Sequence, residues 1–252
     1  MAQFLDSIAF EPQTLSEVPS NVSHLESFLP DDRIGRLQLA QAQILKLNVD
    51  IFDTLTLSDG FGNPSILTAF VRRLQDWFTT WKSDLCVNDD PFDEYSSSTP
   101  YDTSLILLLP YLFGLSLMYR KPRSCISHFA SSFIAGILLE MSERELIIWL
   151  PHPVLTMFVM GTAENFSYSK GDPQLTESAY KDLGKLESAM MIASPANRDE
   201  LLSGLRDAKD HQVESSQLNP MTTQEKILFK GINFGWCSVP RSYIASSMPV
   251  SR

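Results

Sequence analysis

The sequence predicts an all-α fold, an irregular multi-helix bundle with long loops and flexible termini. Apolar residues recur three and four positions apart in several successive segments, which is the spacing of one face of an α-helix. No run of alternating β-branched residues is long enough to predict a strand. The chain has 252 residues, of which 44% are hydrophobic and 20% charged, so it can bury a substantial core.

Three regions follow from this pattern. Residues 1–30 are interrupted by Pro12, Pro19 and Pro30 and carry no sustained period, so we expect a flexible N-terminal segment. Residues 31–235 hold the periodic segments and are predicted to form one helical domain. We expect residues 236–252 to be an irregular C-terminal tail.

The first two predicted helices have clear starts and apolar faces. Asp31 and Asp32 can cap the first helix, whose apolar face carries Leu37, Ala40, Ile44, Leu47, Ile51 and Leu55. The turn LSDGFGNP ends it. Pro64 suits the first turn of the second helix, whose apolar face carries Leu67, Phe70, Leu74, Trp77 or Phe78, and Trp81.

An acidic segment and an apolar run come next. Six acidic residues and no basic residue lie between Asp84 and Asp102, which predicts an exposed, mobile loop. The run that follows, LILLLPYLFGLSLMYRKPR, has no charge over the 15 residues from Leu105 to Tyr119. A bilayer needs about 20 such residues, and Pro110 and Gly114 interrupt the run. We therefore predict a buried central helix rather than a membrane span.

The remaining elements are also helical. Ser124 can cap a fourth helix, whose buried face carries Ile126, Phe129, Phe133, Ile137 and Met141. Short helical pieces are predicted over 143–149 and 154–166, separated by Pro151 and Pro153. Charge-rich covering helices are predicted over 176–193 and 197–213, and Thr222 or Thr223 can cap a last one.

Charge and cysteine content limit the classes of function. The net charge of −10 argues against broad contact with a phosphate backbone, so we expect no direct nucleic-acid contact from this chain alone. Three dispersed cysteines, Cys86, Cys125 and Cys237, form neither a disulfide framework nor a metal-ligand pattern. The N-terminus lacks the pattern of a secretory signal, and we expect no association with a membrane. A reducing compartment follows: the nucleus, with the cytoplasm as the alternative.

One string suggests enzyme chemistry. Asn88 to Glu94 reads NDDPFDE, which resembles the first magnesium motif of class I terpene cyclases. That resemblance implies Asp89, Asp90 and Asp93 as ligands of magnesium ions that hold a diphosphate substrate. Glu164, Ser167 and Lys170 fall at offsets similar to the second motif of that family. This is the alternative interpretation, and the leading one assigns no catalytic residue, metal or cofactor.

Two surface features are candidate regulatory or contact sites. Arg120, Lys121 and Arg123 form a basic cluster directly after the apolar run. Such a cluster suits an anion or import signal, although charges in this place more often complement the helix dipole. Ser96, Ser97 and Ser98 lie at the end of the acidic segment and are candidate contact or phosphorylation sites.

The strongest resemblance covers Leu37 to Thr162. A helix with tryptophans, LQDWFTTWKSDL, is followed by a variable loop, by LILLLPYLFGLSLMYRKP and by SCISHFASSFIAGILLEM. This order resembles the middle regulatory domain of the fungal binuclear zinc-cluster transcription factors. The resemblance implies an all-helical regulatory-type domain over 31–235 that contacts other regulatory proteins. The six-cysteine zinc cluster of that family has no counterpart among three dispersed cysteines.

We therefore expect a nuclear, transcription-regulator-like protein that acts through protein contacts. Analogy with the family adds a role in the control of a fungal secondary-metabolite gene cluster. The alternative is an α-helical enzyme that resembles a class I terpene cyclase.

Overall fold

The all-α prediction is confirmed in the computed structural model, which has seven α-helices, three short 3-10 helices and no strand in the residues it describes. The described residues are 33–57, 64–81, 98–120, 124–173, 175–192, 195–211, 218, 221, 225, 227–229, 232 and 234–239. The α-helices are α1 Arg33–Leu57, α2 Pro64–Trp81, α3 Ser98–Met118, α4 Cys125–Glu143, α5 His152–Ser169, α6 Thr176–Ile192 and α7 Pro195–Asp210. The 3-10 helices are Ile147–Trp149, Ile227–Phe229 and Phe234–Trp236. The predicted N-terminal segment, residues 1–30, lies outside the described residues.

Local sequence signals account for several helix starts. α2 begins at Pro64. The N–H groups of a helix's first turn have no intrahelical acceptor, so proline, which lacks an N–H, loses no hydrogen bond there. Ser124 caps α4 as predicted, since its hydroxyl accepts a hydrogen bond from the Ile126 N–H at 3.2 Å. α5 begins at His152, two residues before its predicted start, with Pro153 in its first turn. Proline therefore marks helix starts in this chain more than once.

The predicted loop over 84–102 is wrong at its C-terminal end. Helix α3 begins at Ser98 and so includes five residues that were assigned to the loop. Pro100 lies in its first turn, where a proline costs no hydrogen bond. The serine and proline composition that predicts a loop is also the composition of a helix N-terminus.

Helix α3 continues through Pro110 and Gly114, the two residues that interrupt the apolar run. The Asn48 side-chain N–H of α1 donates to the Pro110 carbonyl oxygen at 2.8 Å. A Cβ at Gly114 would lie 2.5 Å from Asn48 Oδ1, so the missing side chain lets α1 approach α3 closely. Both residues therefore serve the packing of α1 on α3.

The centre of the bundle is α4 rather than the predicted 105–119 helix. α4 contacts α3, α5 and α6 and the 3-10 helices Ile147–Trp149 and Phe234–Trp236, and its predicted apolar face is buried as expected. α3 lies beside it and contacts α1, α2, α4 and α5. α4 takes the centre because small residues separate its large ones, so neighbours pack on almost every side.

One helix in the described residues, Cys125–Glu143, is long and apolar enough to cross a membrane. Of its apolar window, 89% is buried inside the protein, as in the core helix of a bundle. The apolar part of α3, Leu105–Met118, is too short to cross a membrane. The part of the chain that the structure describes therefore carries no strong membrane-protein signal.

The C-terminal residues close the core. Among the described residues after 211, Glu225 is helical and Ile227–Phe229 forms a 3-10 helix; Thr222 and Thr223, the predicted caps of a last helix, lie outside them. The Tyr111 hydroxyl donates to the Leu228 carbonyl oxygen at 2.8 Å. The first residues of the predicted tail, from Trp236 to Val239, pack against the bundle, and Val239 is buried.

Candidate functional site

Most residues of the predicted contact sites lie outside the described residues. These are the three acidic residues of the magnesium motif, Asp89, Asp90 and Asp93, the serines Ser96 and Ser97, and the basic residues Lys121 and Arg123. Ser98 is the first residue of α3. Their assignments remain predictions from the sequence.

Arg120 is the described member of the basic cluster, and it points into the protein. Its guanidinium forms an ion pair with Glu164 at 2.9 Å and donates to Asn165 Oδ1 and the Gly161 carbonyl oxygen, both at 3.1 Å. Asn165 in turn donates to the Ser131 hydroxyl at 3.0 Å. Arg120 therefore joins the end of α3 to α5 and, through Asn165, to α4.

The residues that match the second cyclase-like motif make separate structural contacts. Glu164 pairs with Arg120, while the Ser167 hydroxyl donates to the carbonyl oxygens of Ala163 and Ala208 at 3.2 and 3.3 Å. The Lys170 ammonium donates to three carbonyl oxygens at the C-terminal end of α7, those of Ala208, Lys209 and His211. A cation there complements the helix dipole. Burial lowers the pKa of Lys170, and the nearby Asp210 opposes this shift.

The Cys125 thiol is a candidate nucleophile with a shifted pKa. Burial, followed by the charge of Glu225, raises the pKa of the Cys125 thiol to about 12. A thiol protonated at neutral pH is a poor nucleophile. Among the described residues, no three His, Cys, Asp or Glu side chains lie close enough together to hold a metal ion.

His128 on α4 is fully buried, and its Nε2 lies 3.0 Å from the Ser178 hydroxyl of α6. Burial lowers the pKa of His128 to about 3. Between pH 6.5 and 3 the unfolded chain therefore binds a proton that the folded chain does not. The stability that this neutral ring contributes is complete above pH 6.5 and falls as the pH drops below it.

We expect the free energy of unfolding to fall by about 2 kcal/mol more in the wild type than in His128→Gln between pH 7 and pH 5. Glutamine keeps a polar partner for Ser178 but does not titrate. Urea unfolding of both proteins at the two pH values measures these free energies. The contributions of other titrating groups cancel when the two proteins are compared. Parallel pH dependence of the two proteins would contradict the assignment.

A surface groove between α1 and α2 is a candidate binding site. It is open to solvent and has a volume of about 380 Å³, within the range of small-ligand and peptide pockets. Seven residues line it: Gln43, Leu47, Arg73, Asp76, Trp77, Thr80 and Trp81. The apolar members come from the two helix faces that pack together, and the polar members come from the rim.

Two tryptophans form the floor of the groove and are held in place by hydrogen bonds. The Trp77 indole N–H donates to the Ala40 carbonyl oxygen, and the Trp81 indole N–H donates to Gln43 Oε1, both at 3.0 Å. The Trp77 ring also stacks on Tyr111 of α3, with ring centroids 5.9 Å apart. Rigid aromatic side chains of this kind contribute contact area at low entropic cost.

The rim of the groove carries charges of both signs. Arg73 pairs with Asp50 at 2.9 Å, and its guanidinium lies over the Phe70 ring. Asp76 lies on the same helix, and Arg36 lies over the Trp81 ring with 5.9 Å to its centroid. A partner with one apolar side chain between charged or polar groups would fit this arrangement.

The sequence identified part of this groove. The apolar face predicted for the second helix includes Trp81 and either Trp77 or Phe78, and all three side chains are buried. The groove itself needs Gln43 and Leu47 of α1 beside the two tryptophans, and that pairing of helices has no sequence signal. A second site, around Asp182 of α6, was missed although Asp182 falls at helical spacing among buried apolar residues.

The fold and these sites define an all-α protein with an open surface groove and a buried polar network. Comparison of the chain with family models, curated proteins and solved structures finds no match in any of the three.

Proposed function

We propose that this chain is the protein-contact part of a transcription regulator, and that the groove between α1 and α2 binds a segment of a partner protein. The observation that carries the proposal is the pair of rigid, hydrogen-bonded tryptophans on the groove floor. Tryptophan and arginine are enriched among the residues that dominate the energy of protein interfaces. The partner segment presents an apolar side chain to the tryptophans.

The regulator class rests on the sequence resemblance rather than on the groove. The segments that resemble the regulatory domain of the fungal zinc-cluster factors correspond to α1 to α4, which enclose the groove and the core behind it. A net charge of −10 favours protein partners over nucleic acid. Nuclear location and control of a secondary-metabolite gene cluster follow by analogy with that family.

A substitution at the groove rim tests the proposal. Thr80 and Thr79 are both exposed on α2, but only Thr80 lines the groove. We expect Thr80→Arg to block partner binding and Thr79→Arg to leave it unchanged, because the same side chain then points away from the groove. Both variants are expected to keep the free energy of unfolding within about 0.5 kcal/mol of the wild type.

The readout is the transcript profile of cells that lack the gene and carry each variant at equal protein level. Wild type and Thr79→Arg are expected to restore the changed transcripts, whereas Thr80→Arg is not. A deletion that changes no transcript would overturn the regulator assignment. Equal rescue by both variants would overturn the groove as its binding site.

The cyclase-like alternative remains a prediction from the sequence. It is tested by incubation of the purified protein with prenyl diphosphates and magnesium. A product that disappears in Asp89→Ala would favour it over the regulator.

A further inference from the structure

The segment at residues 234–239 lies over a groove between α4 and α6, on a different surface from the one above. The 3-10 helix Phe234–Trp236 contacts α4, and Lys185 of α6 reaches the same segment. The side chains of Trp236, Cys237 and Ser238 remain partly exposed, although side chains beneath them, such as Ser132, are fully buried. Residues 236–238 therefore cover the groove from outside, whereas Val239 at the end of the segment joins the core.

Gly136 of α4 lets the backbone of this segment approach the helix. A Cβ at this position would lie 2.7 Å from the Cβ and 2.8 Å from the Cα of Trp236. Real Cβ atoms do not approach other heavy atoms so closely, so a larger residue at 136 would displace the segment. Glycine at a site of close backbone approach is a common feature of binding surfaces.

The contacts in the groove have the form of peptide recognition. The Lys185 ammonium donates to the Trp236 carbonyl oxygen at 2.8 Å, and the Ser132 hydroxyl accepts from the Ser238 N–H at 2.8 Å. These two contacts bind main-chain groups. The third contact is specific to a side chain, since the Trp236 indole N–H donates to Glu140 of α4.

The chain's own segment leaves polar groups in the groove poorly satisfied. The Asp182 carboxylate is fully buried, forms an ion pair with the Lys185 ammonium at 2.9 Å and interacts with the Ser132 and Ser238 hydroxyls, but neither of its oxygens accepts a hydrogen bond of good geometry. The Ser238 hydroxyl reaches this carboxylate only through a poorly aligned contact. A buried carboxylate whose hydrogen bonds are poorly aligned is costly, so an occupant with a longer donor side chain in place of Ser238 would bind better.

We propose that the groove between α4 and α6 is a peptide-binding site that residues 234–239 occupy in cis, and that a partner segment competes for it. The partner carries a tryptophan and, two residues later, a side chain that donates a hydrogen bond to Asp182. The cis segment inhibits this binding. The proposal is independent of the groove between α1 and α2.

A labelled peptide with the sequence of residues 232–240, INFGWCSVP, tests this in trans on the full chain under reducing conditions. We expect it to bind Trp236→Ala at least ten times more tightly than the wild type, because that variant weakens the cis contact. The double variant Trp236→Ala with Gly136→Val is expected not to bind. A peptide with Trp236→Ala is expected not to bind either, and one with Ser238→Asn to bind more tightly than the native peptide.

Equal affinity of a folded Trp236→Ala chain and the wild type would overturn the cis inhibition. Binding that survives Gly136→Val would overturn the location of the site, and no gain from Ser238→Asn would overturn the role of Asp182. Should Trp236→Ala fail to fold, hydrogen exchange on the wild type decides. Saturating native peptide is expected to accelerate exchange of the Ser238 N–H at least tenfold, and unchanged exchange would overturn the proposal.

Discussion

Replacement of Phe133 by alanine is expected to lower the free energy of unfolding by about 3–5 kcal/mol. Phe133 is fully buried at the centre of α4, and its ring stacks on Phe229 with 5.6 Å between centroids and 18° between planes. The change removes the ring and leaves a cavity that α4, held on several sides, cannot close. Since the whole protein is stabilised by about 5–15 kcal/mol, this loss is a large share.

Urea unfolding measures the change, with an unchanged m-value as evidence that the folded state is preserved. Phe52→Ala is the matched control, because the Phe52 side chain on α1 is 53% exposed and its truncation is expected to cost less than about 1 kcal/mol. Similar losses for the two variants would show that α4 is not the packed centre of the bundle.

Arg120→Met is expected to lower the free energy of unfolding by about 2–4 kcal/mol. The side chain of Arg120 is 17% exposed and that of Glu164 is 25% exposed, so the ion pair is largely shielded from water. Methionine fills a similar volume but leaves Glu164 without its cation and Asn165 Oδ1 without the guanidinium N–H. Arg120→Lys keeps the positive charge but loses the planar guanidinium with its several N–H donors, so we expect an intermediate loss in the free energy of unfolding.

A double-mutant cycle separates the ion pair from the rest of the network. Arg120→Met with Glu164→Gln is expected to be less destabilised than the sum of the single changes, because the unpaired carboxylate is then gone. Arg73→Met is the control: its ion pair with Asp50 is half exposed and is expected to contribute less than about 1 kcal/mol. Additive losses in the cycle would contradict coupling between Arg120 and Glu164.

The buried face and the start of a helix were predictable where residue spacing or a capping residue alone determines them. The apolar face of α4, from Ile126 to Met141, is buried as its spacing requires, and Ser124 caps the helix. The start of α3 was not predicted, because serine and proline occur both in loops and in helix first turns. Burial of Leu105 and Leu107 in the core favours a helix over a loop at the N-terminal end of α3.

The candidate sites were less predictable than the helices. Trp81 falls on a predicted apolar face, but its bond to Gln43 depends on how α1 crosses α2. Arg120 reads as part of an exposed basic cluster, and only the position of α5 shows that it meets Glu164. Gly136 has no distinctive sequence signal, although it determines whether residues 234–239 can approach α4.

The sequence by itself determined the all-α class and most of the buried faces of α1, α2 and α4, because these depend on residue spacing along a single helix. The tertiary structure decided that α4 rather than α3 is central, that Arg120 points inward, and that Asp182 lies beneath Ser238. Each of these depends on contacts between residues distant in sequence, and helix periodicity places no constraint on which faces meet.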